Sequence, residues 1–258
     1  MKALITGASS GIGRDMARVL SEMGYDIIAV ARRKERLFEL QNELKTNVEI
    51  LCADITDIKQ CKAVAERAKD VDVFINNAGF GVYGDLCTSG LEEELAMIDT
   101  NVVALHILTK AVAKVFKEKG RGHILNVASI AAFFPGPLFS AYYASKAYVL
   151  RLSQALAEEL RQSKSGVSVS VLCPGPVHTE FEKVAKVNFG TGMEKGGNMV
   201  ILPSRYVAEY AIKKMFSGKT VIIPGVLMKL AVFCRHLISD KILAKIVYAV
   251  QSRKFTLN

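Results

Sequence analysis

The chain has 258 residues, half of them hydrophobic, and 34 Lys and Arg against 25 Asp and Glu give it a net charge of +9. That length suits one large α/β domain with a sizeable core. A positive balance admits nucleic acid, an acidic ligand or a membrane surface as partner, but the only basic run, Arg32-Arg33-Lys34, carries no interleaved aromatics, so no nucleic acid is expected.

Short β-rich apolar runs at 3–6, 26–31, 49–53, 73–76, 123–127, 168–172 and 220–223 alternate with helical periodicity at 12–24, 33–45, 57–69, 90–118, 141–163 and 204–217. Such alternation predicts a doubly wound, Rossmann-type parallel sheet of seven strands with helices on both faces. Ser89 and Glu92 have the spacing of a capping box for the long fourth helix. Residues 1–225 read as one domain. The Gly-rich stretch 180–202 reads as a mobile insertion, and 226–258 as a basic amphipathic helical extension of the same domain.

The first strand runs into Thr6-Gly7-Ala-Ser9-Ser10-Gly11-Ile12-Gly13 and then a helix. Glycines at a strand-to-helix turn let backbone amides approach a pyrophosphate at the helix N-terminus. The second strand ends Ala31-Arg32-Arg33, where a dinucleotide site selective for NAD carries an acid for the ribose 2′-hydroxyl. A guanidinium pairs bidentately with phosphate, so Arg32 and Arg33 point to the 2′-phosphate of NADP. Cations at a helix start also run against the macrodipole, and an anion nearby would account for them.

Further along, Ser129 closes the apolar run 123–128, and Tyr142 and Lys146 are four apart at the start of a helical pattern. That spacing places a phenol and an ammonium one turn apart on one face. A fixed positive charge favours the phenolate, so the Tyr142 pKa is expected to fall toward the range useful to a general acid or base.

With these residues the chain resembles the short-chain dehydrogenase/reductase family over nearly its whole length. The motifs that carry the resemblance are Thr6-Gly7-x3-Gly11-x-Gly13, Asp54 after the third strand, Asn76-Asn77-Ala78-Gly79 after the fourth, the set Asn101, Ser129, Tyr142 and Lys146, and Pro174-Gly175-Pro-Val-His-Thr179 after the sixth. The resemblance implies NADP(H)-dependent interconversion of a ketone or aldehyde and an alcohol. Tyr142 would exchange a proton with the substrate oxygen, Lys146 would lower its pKa and bind the nicotinamide ribose, and Ser129 would hold the oxygen. Asn101 would kink its helix and hold a water. Asp54 with Ile55 would meet the adenine, Asn76 would stabilise the sheet centre beside Ala78 and Gly79, and Val177 and Thr179 would hold the carboxamide behind Pro174 and Gly175. Arg14 is a minor candidate for the phosphate, because Ser10 stands where some members have a basic residue. Tyr143 invites a register error that Lys146 resolves, since only Tyr142 lies four before it.

Segments 80–83 and 131–139 and the stretch after Thr179 are expected to form an apolar substrate pocket, with Phe133, Phe134, Leu138, Phe139, Tyr143, Phe181 and Phe189 as candidate walls; the same residues suit core or subunit contacts. The tail holds six cations against Asp240 alone, interleaved with Leu, Ile, Val and Phe, and suits docking on the domain or lying on an anionic membrane. The long helices around 91–117 and 141–161 carry apolar residues on more than one face; with the resemblance, this predicts a homodimer or homotetramer. A non-catalytic NADP(H)-binding regulator on the same fold is the rival reading, and a lipid-modifying reductase at the membrane surface is a refinement of the first.

Five cysteines without a Cys-x-x-Cys read as small buried hydrophobes in a reducing, cytoplasmic compartment. The four histidines lack metal-ligand spacing, so no metal is expected. The chain opens directly on a strand-like run and no leader is expected, nor any spanning segment, for want of an apolar run of about 18 residues.

Overall fold

The computed structural model of the chain describes residues 1–185 and 201–252. In chain order its main elements are β1 (Lys2–Thr6), α1 (Gly11–Glu22), β2 (Asp26–Ala31), α2 (Lys34–Glu43), β3 (Val48–Cys52), α3 (Ile58–Glu66), β4 (Val73–Asn76), α4 (Leu91–Ile98), a π-helical turn (Asp99–Ala104), α5 (Leu105–Lys119), β5 (Gly122–Val127), α6 (Ser140–Gln162) and β6 (Val167–Leu172). There follow α7 (Phe181–Val184), α8 (Ser204–Phe216), β7 (Val221–Ile222), α9 (Val226–Cys234) and α10 (Asp240–Ser252).

The strands form one parallel sheet of seven in the order β3-β2-β1-β4-β5-β6-β7. Strand residues alternate between two cores, as a period of two requires. Ala3, Ile5, Ile27, Ala29, Val73, Ile75 and Leu125 face α1, α2 and α8, while Leu4, Ile28, Val30, Phe74 and Ile124 face α3, α5 and α6. Both faces are therefore covered, and the strands read as continuous apolar runs for that reason. Strand order reverses between β1 and β4, and in open α/β sheets ligands bind at the carboxyl ends of the strands beside such a switch point.

Several expectations change. The long fourth helix is not capped by Ser89: it starts at Leu91 behind Gly90, and the Ser89 hydroxyl instead donates to Glu94 at 2.6 Å. Only Cys61 and Cys173 are buried; Cys52 and Cys87 are exposed, and all five thiols are free. The stretch Leu91–Lys119 is long and apolar enough to cross a membrane by length and composition. Here it is α4, the π turn and α5, and it packs Leu105, Leu108, Val112 and Phe116 into the domain as a core helix. Of the insertion expected at 180–202, residues 186–200, Phe189 among them, lie outside the described residues, as do Arg253 and Lys254 of the tail.

Candidate active site

The carboxyl ends of the strands open into a cavity of about 730 Å³. Its floor is the turn between β1 and α1. Asn77 donates its amide to the carbonyls of Thr6 at 3.0 Å and Gly7 at 3.3 Å, and the Thr6 hydroxyl accepts from the backbone N–H of Asn77 and Ala78 at 3.0 and 3.1 Å. Gly7 has φ +67°, and a Cβ on Gly13 would stand 2.3 Å from the Asn77 amide, so neither position admits a side chain. Ser10 makes no side-chain cap bond at the start of α1, and the first turn contains no acid. The donors of that turn are thus left for an anion.

Arg33 stands over this turn. Its Nη2 donates to Ser9 Oγ at 3.1 Å and Ser10 Oγ at 3.0 Å and pairs with Glu180 at 2.7 Å. Glu180 is the anion that the cations at the start of α2 call for, and Arg33 holds its carboxyl below the usual carboxylate range. Arg32 reaches Asp54 at 3.9 Å and, like Arg33, Asp54 and Ile55, lines the cavity. Arg14 is engaged by Glu39 and Glu43.

Ser129 lies two residues past the end of β5, where its hydroxyl accepts from the Ala131 N–H at 3.2 Å and caps a short 3-10 turn. Tyr142 and Lys146 project from the first turns of α6 into the same cavity, 7% and 4% exposed, and the Lys146 Nζ lies 5.7 Å from the centre of the Tyr142 ring. Lys146 donates to the Val127 carbonyl at 3.1 Å. Burial pushes its ammonium down to about 8. Burial also pushes the Tyr142 phenol up, against the lowering effect of the Ser129 hydroxyl. The expected fall of the Tyr142 pKa is therefore not found: desolvation of the phenol outweighs any help from an ammonium that is itself desolvated.

Asn101 lies in the π turn, fully buried. Its amide spans the Phe80 backbone, accepting at 3.1 Å and donating at 2.8 Å, and donates to Ser145 Oγ at 3.1 Å; Ser145 in turn donates to the Tyr142 carbonyl at 2.7 Å. It faces the back of Tyr142 and does not line the cavity. Asn76 and Gly13 also stand behind the wall: Asn76, 1% exposed, ties β4 to α5 through the Leu105 carbonyl at 3.1 Å. Ala78, Gly79, Pro174, Gly175, Val177 and Thr179 line the cavity.

Of the expected apolar walls, Phe139, Tyr143 and Phe181 line the cavity with Phe80, Ile130, Ala131 and Val184. Phe133, Phe134 and Leu138 do not. Phe139 and Phe181 flank the Tyr142 ring at centroid distances of 4.6 and 5.4 Å. One wall was not anticipated: Gln251, 4% exposed near the end of α10, donates to Tyr143 Oη at 2.7 Å, while its carbonyl accepts from Tyr83 Oη at 2.8 Å. No motif marks it; only the apolar periodicity of the tail hinted that this helix docks.

A glycine turn with free donors, an arginine over it and a Ser–Tyr–Lys set in one cavity fit a dinucleotide with a reacting carbonyl beside it. A profile of the short chain dehydrogenase family matches residues 1–188. The chain belongs to the short-chain dehydrogenase/reductase family. It is an oxidoreductase of that family. Among its relatives, an NADP-dependent 3-hydroxy acid dehydrogenase of Salmonella typhi, YdfG, is 36% identical over 206 residues, 76% of this chain and 80% of the relative. A short-chain dehydrogenase from Sphingobium yanoikuyae, solved in complex with NADPH, is 32% identical, covers 93% of this chain and 95% of its own, and superposes with a TM-score of 0.78. The bulky-bulky ketone specific alcohol dehydrogenase from Comamonas testosteroni is 26% identical, with coverage of 100% and 94% and a TM-score of 0.74.

Proposed function

We propose that this dehydrogenase is NADP(H)-dependent and interconverts an alcohol with a ketone or aldehyde on an apolar substrate, Tyr142 giving the proton in the reducing direction. The observation that carries the reading is the convergence of Ser129, Tyr142 and Lys146 on the cavity that the glycine turn and Arg33 also line. The cofactor supplies the hydride. The chain's own residues do the rest. The start of α1 receives the pyrophosphate, and Arg33, with Arg32 at the rim, takes the 2′-phosphate in place of Glu180. Lys146 donates to the ribose. Ser129 holds the substrate oxygen against Tyr142 Oη, which releases its proton as charge develops on that oxygen. Asn101 and Ser145 position Tyr142 by fixing its backbone.

The NADP(H) preference is supported by Arg32 and Arg33, by the name of the Salmonella relative and by the NADPH bound to the Sphingobium protein. The apolar substrate is supported by Phe80, Phe139, Tyr143 and Phe181 around the reacting phenol, and by the bulky ketones in the name of the Comamonas neighbour. An NADP(H) sensor without turnover would have no use for a complete Ser–Tyr–Lys set. The protein acts as a homodimer or homotetramer, and its free thiols suit the reducing cytoplasm. A screen of aliphatic, aryl and steroid ketones that follows NADPH consumption tests the assignment: turnover of at least one class is expected, and none across all three would refute it.

A further inference from the structure

The extension that supplies Gln251 has two unlike sides. Its inner side docks around the cavity. Leu243 and Gln251 are the buried residues of α10, Arg235 donates to the Phe133 carbonyl at 2.6 Å, and a side chain on Gly175 would stand 2.8 Å from Met228 Sδ. Its outer side is bare. Helix α9 reads Val-Leu-Met-Lys-Leu-Ala-Val-Phe-Cys, all apolar but Lys229, and none of its residues is buried. Val226 is 82% exposed, Phe233 67% and Leu237 78%, and Leu230, Ile242 and Ile246 are about half exposed. Exposure of this many large apolar side chains within one short extension marks a surface that meets something other than water.

The charges choose the occupant. On the outer side of α10, Lys241 and Lys245 border Ile242 and Ile246, and neither ammonium has an acidic partner among the described residues. Asp240 is the only acid from Val226 to the end of the chain, against six cations. Packing this surface on a second copy would bring like charges together across a two-fold axis. An anionic bilayer complements both features, taking the apolar side chains at the acyl boundary and the ammonium groups at the phosphates. We infer that α9 and α10 form a membrane-docking surface for anionic phospholipid, with the domain seated so that the side of the cavity lined by Gly175 and Gln251 lies beside the bilayer. This binding is independent of the reaction proposed above, so failure of either leaves the other standing.

The test is co-sedimentation of the full chain, with NADPH present, with vesicles of phosphatidylglycerol and phosphatidylcholine or of phosphatidylcholine alone. Expected is binding to the anionic vesicles only, with release as salt is raised past the point where the Debye length is about 8 Å. Lys241→Glu with Lys245→Glu lowers partitioning about 25-fold or more, roughly fivefold for each cation lost. Leu230→Ser with Phe233→Ser abolishes it. Melting and NADPH binding of the variants establish that they are folded. No binding to anionic vesicles, or equal binding to both compositions, or charge reversal without effect, overturns the inference. So does light scattering in which Leu230→Ser with Phe233→Ser splits an oligomer, since a second copy would then be the occupant.

Discussion

Arg33 and Glu180 form an ion pair of 2.7 Å directly over the glycine turn, so the guanidinium assigned to the 2′-phosphate is already occupied by a carboxylate of the chain itself. Cofactor and Glu180 then compete. NADPH is expected to bind about 2–4 kcal/mol more tightly than NADH, through charge-assisted bonds to phosphate. Arg32→Ala with Arg33→Ala removes that preference, and Glu180→Gln strengthens NADPH binding roughly two- to fivefold. Titration by cofactor fluorescence checks all three, and equal affinity for both cofactors in the unaltered protein would refute the assignment of the arginines.

Lys146 gives a pH dependence with a definite sign. Burial brings its ammonium from 10.5 down to about 8 in the folded protein. Below pH 8 the charged donor is present, and above it the charge is lost, so NADPH affinity should hold to about pH 8 and then decline. Lys146→Met should bind more weakly and show no such decline. The effect on folding runs the other way: the unfolded chain binds the extra proton between about 8 and 10.5, so this group's contribution to stability rises with pH across that window. NADPH titrations from pH 7 to pH 9.5 read the first effect.

Much of this site was legible before any coordinates. The alternation of short apolar runs with helical periodicity placed all seven strands, because a parallel sheet covered on both faces leaves its strands uniformly apolar. The glycine turn, Arg33 and the Tyr142–Lys146 pair could be read because their spacing along the chain is local. Gln251 could not, since 108 residues separate it from its Tyr143 partner. The break in the helix at Asn101 was legible only through the resemblance; that it takes the form of a π turn with Asn101 bridging the Phe80 backbone was not. Asn76 and Gly13 belong to the glycine-turn region but serve it from behind, a distinction of depth that spacing does not carry. The Tyr142 pKa runs opposite to the sequence expectation because charge proximity is visible in a helical repeat whereas burial of both partners is not.

The Gln251–Tyr143 bond should hold the extension to the domain. Gln251→Ala leaves the half-buried Tyr143 hydroxyl without its donor, at a cost of about 0.5–1.5 kcal/mol, or a fall in melting temperature of roughly 1–6 °C. Tyr143→Phe should cost less, and the double variant little more than Gln251→Ala alone, because the two residues share one interaction. Additive losses in a melting series would contradict the coupling. Removal of residues 226–258 should lower the melting temperature further.

Assembly is tested by light scattering at micromolar concentration. Leu91 (62% exposed), Leu95 (49%), Val103 (41%) and Tyr148 (38%) leave apolar surface on α4, the π turn and α6, the helices expected to pair across a two-fold axis. A homodimer or homotetramer is expected, and Val103→Glu with Tyr148→Glu should dissociate it. A monomeric unaltered protein would contradict the expectation.

The claim on which the functional account depends most is that Tyr142 Oη is the proton donor. The measurement is steady-state turnover of Tyr142→Phe and Tyr143→Phe on a ketone accepted by the unaltered protein, with NADPH affinity determined in parallel. The account predicts that Tyr142→Phe keeps its NADPH affinity and loses kcat by a factor of about 10² or more, while Tyr143→Phe stays within roughly tenfold of the unaltered protein. Retained turnover in Tyr142→Phe, or loss of it in Tyr143→Phe instead, would contradict the account.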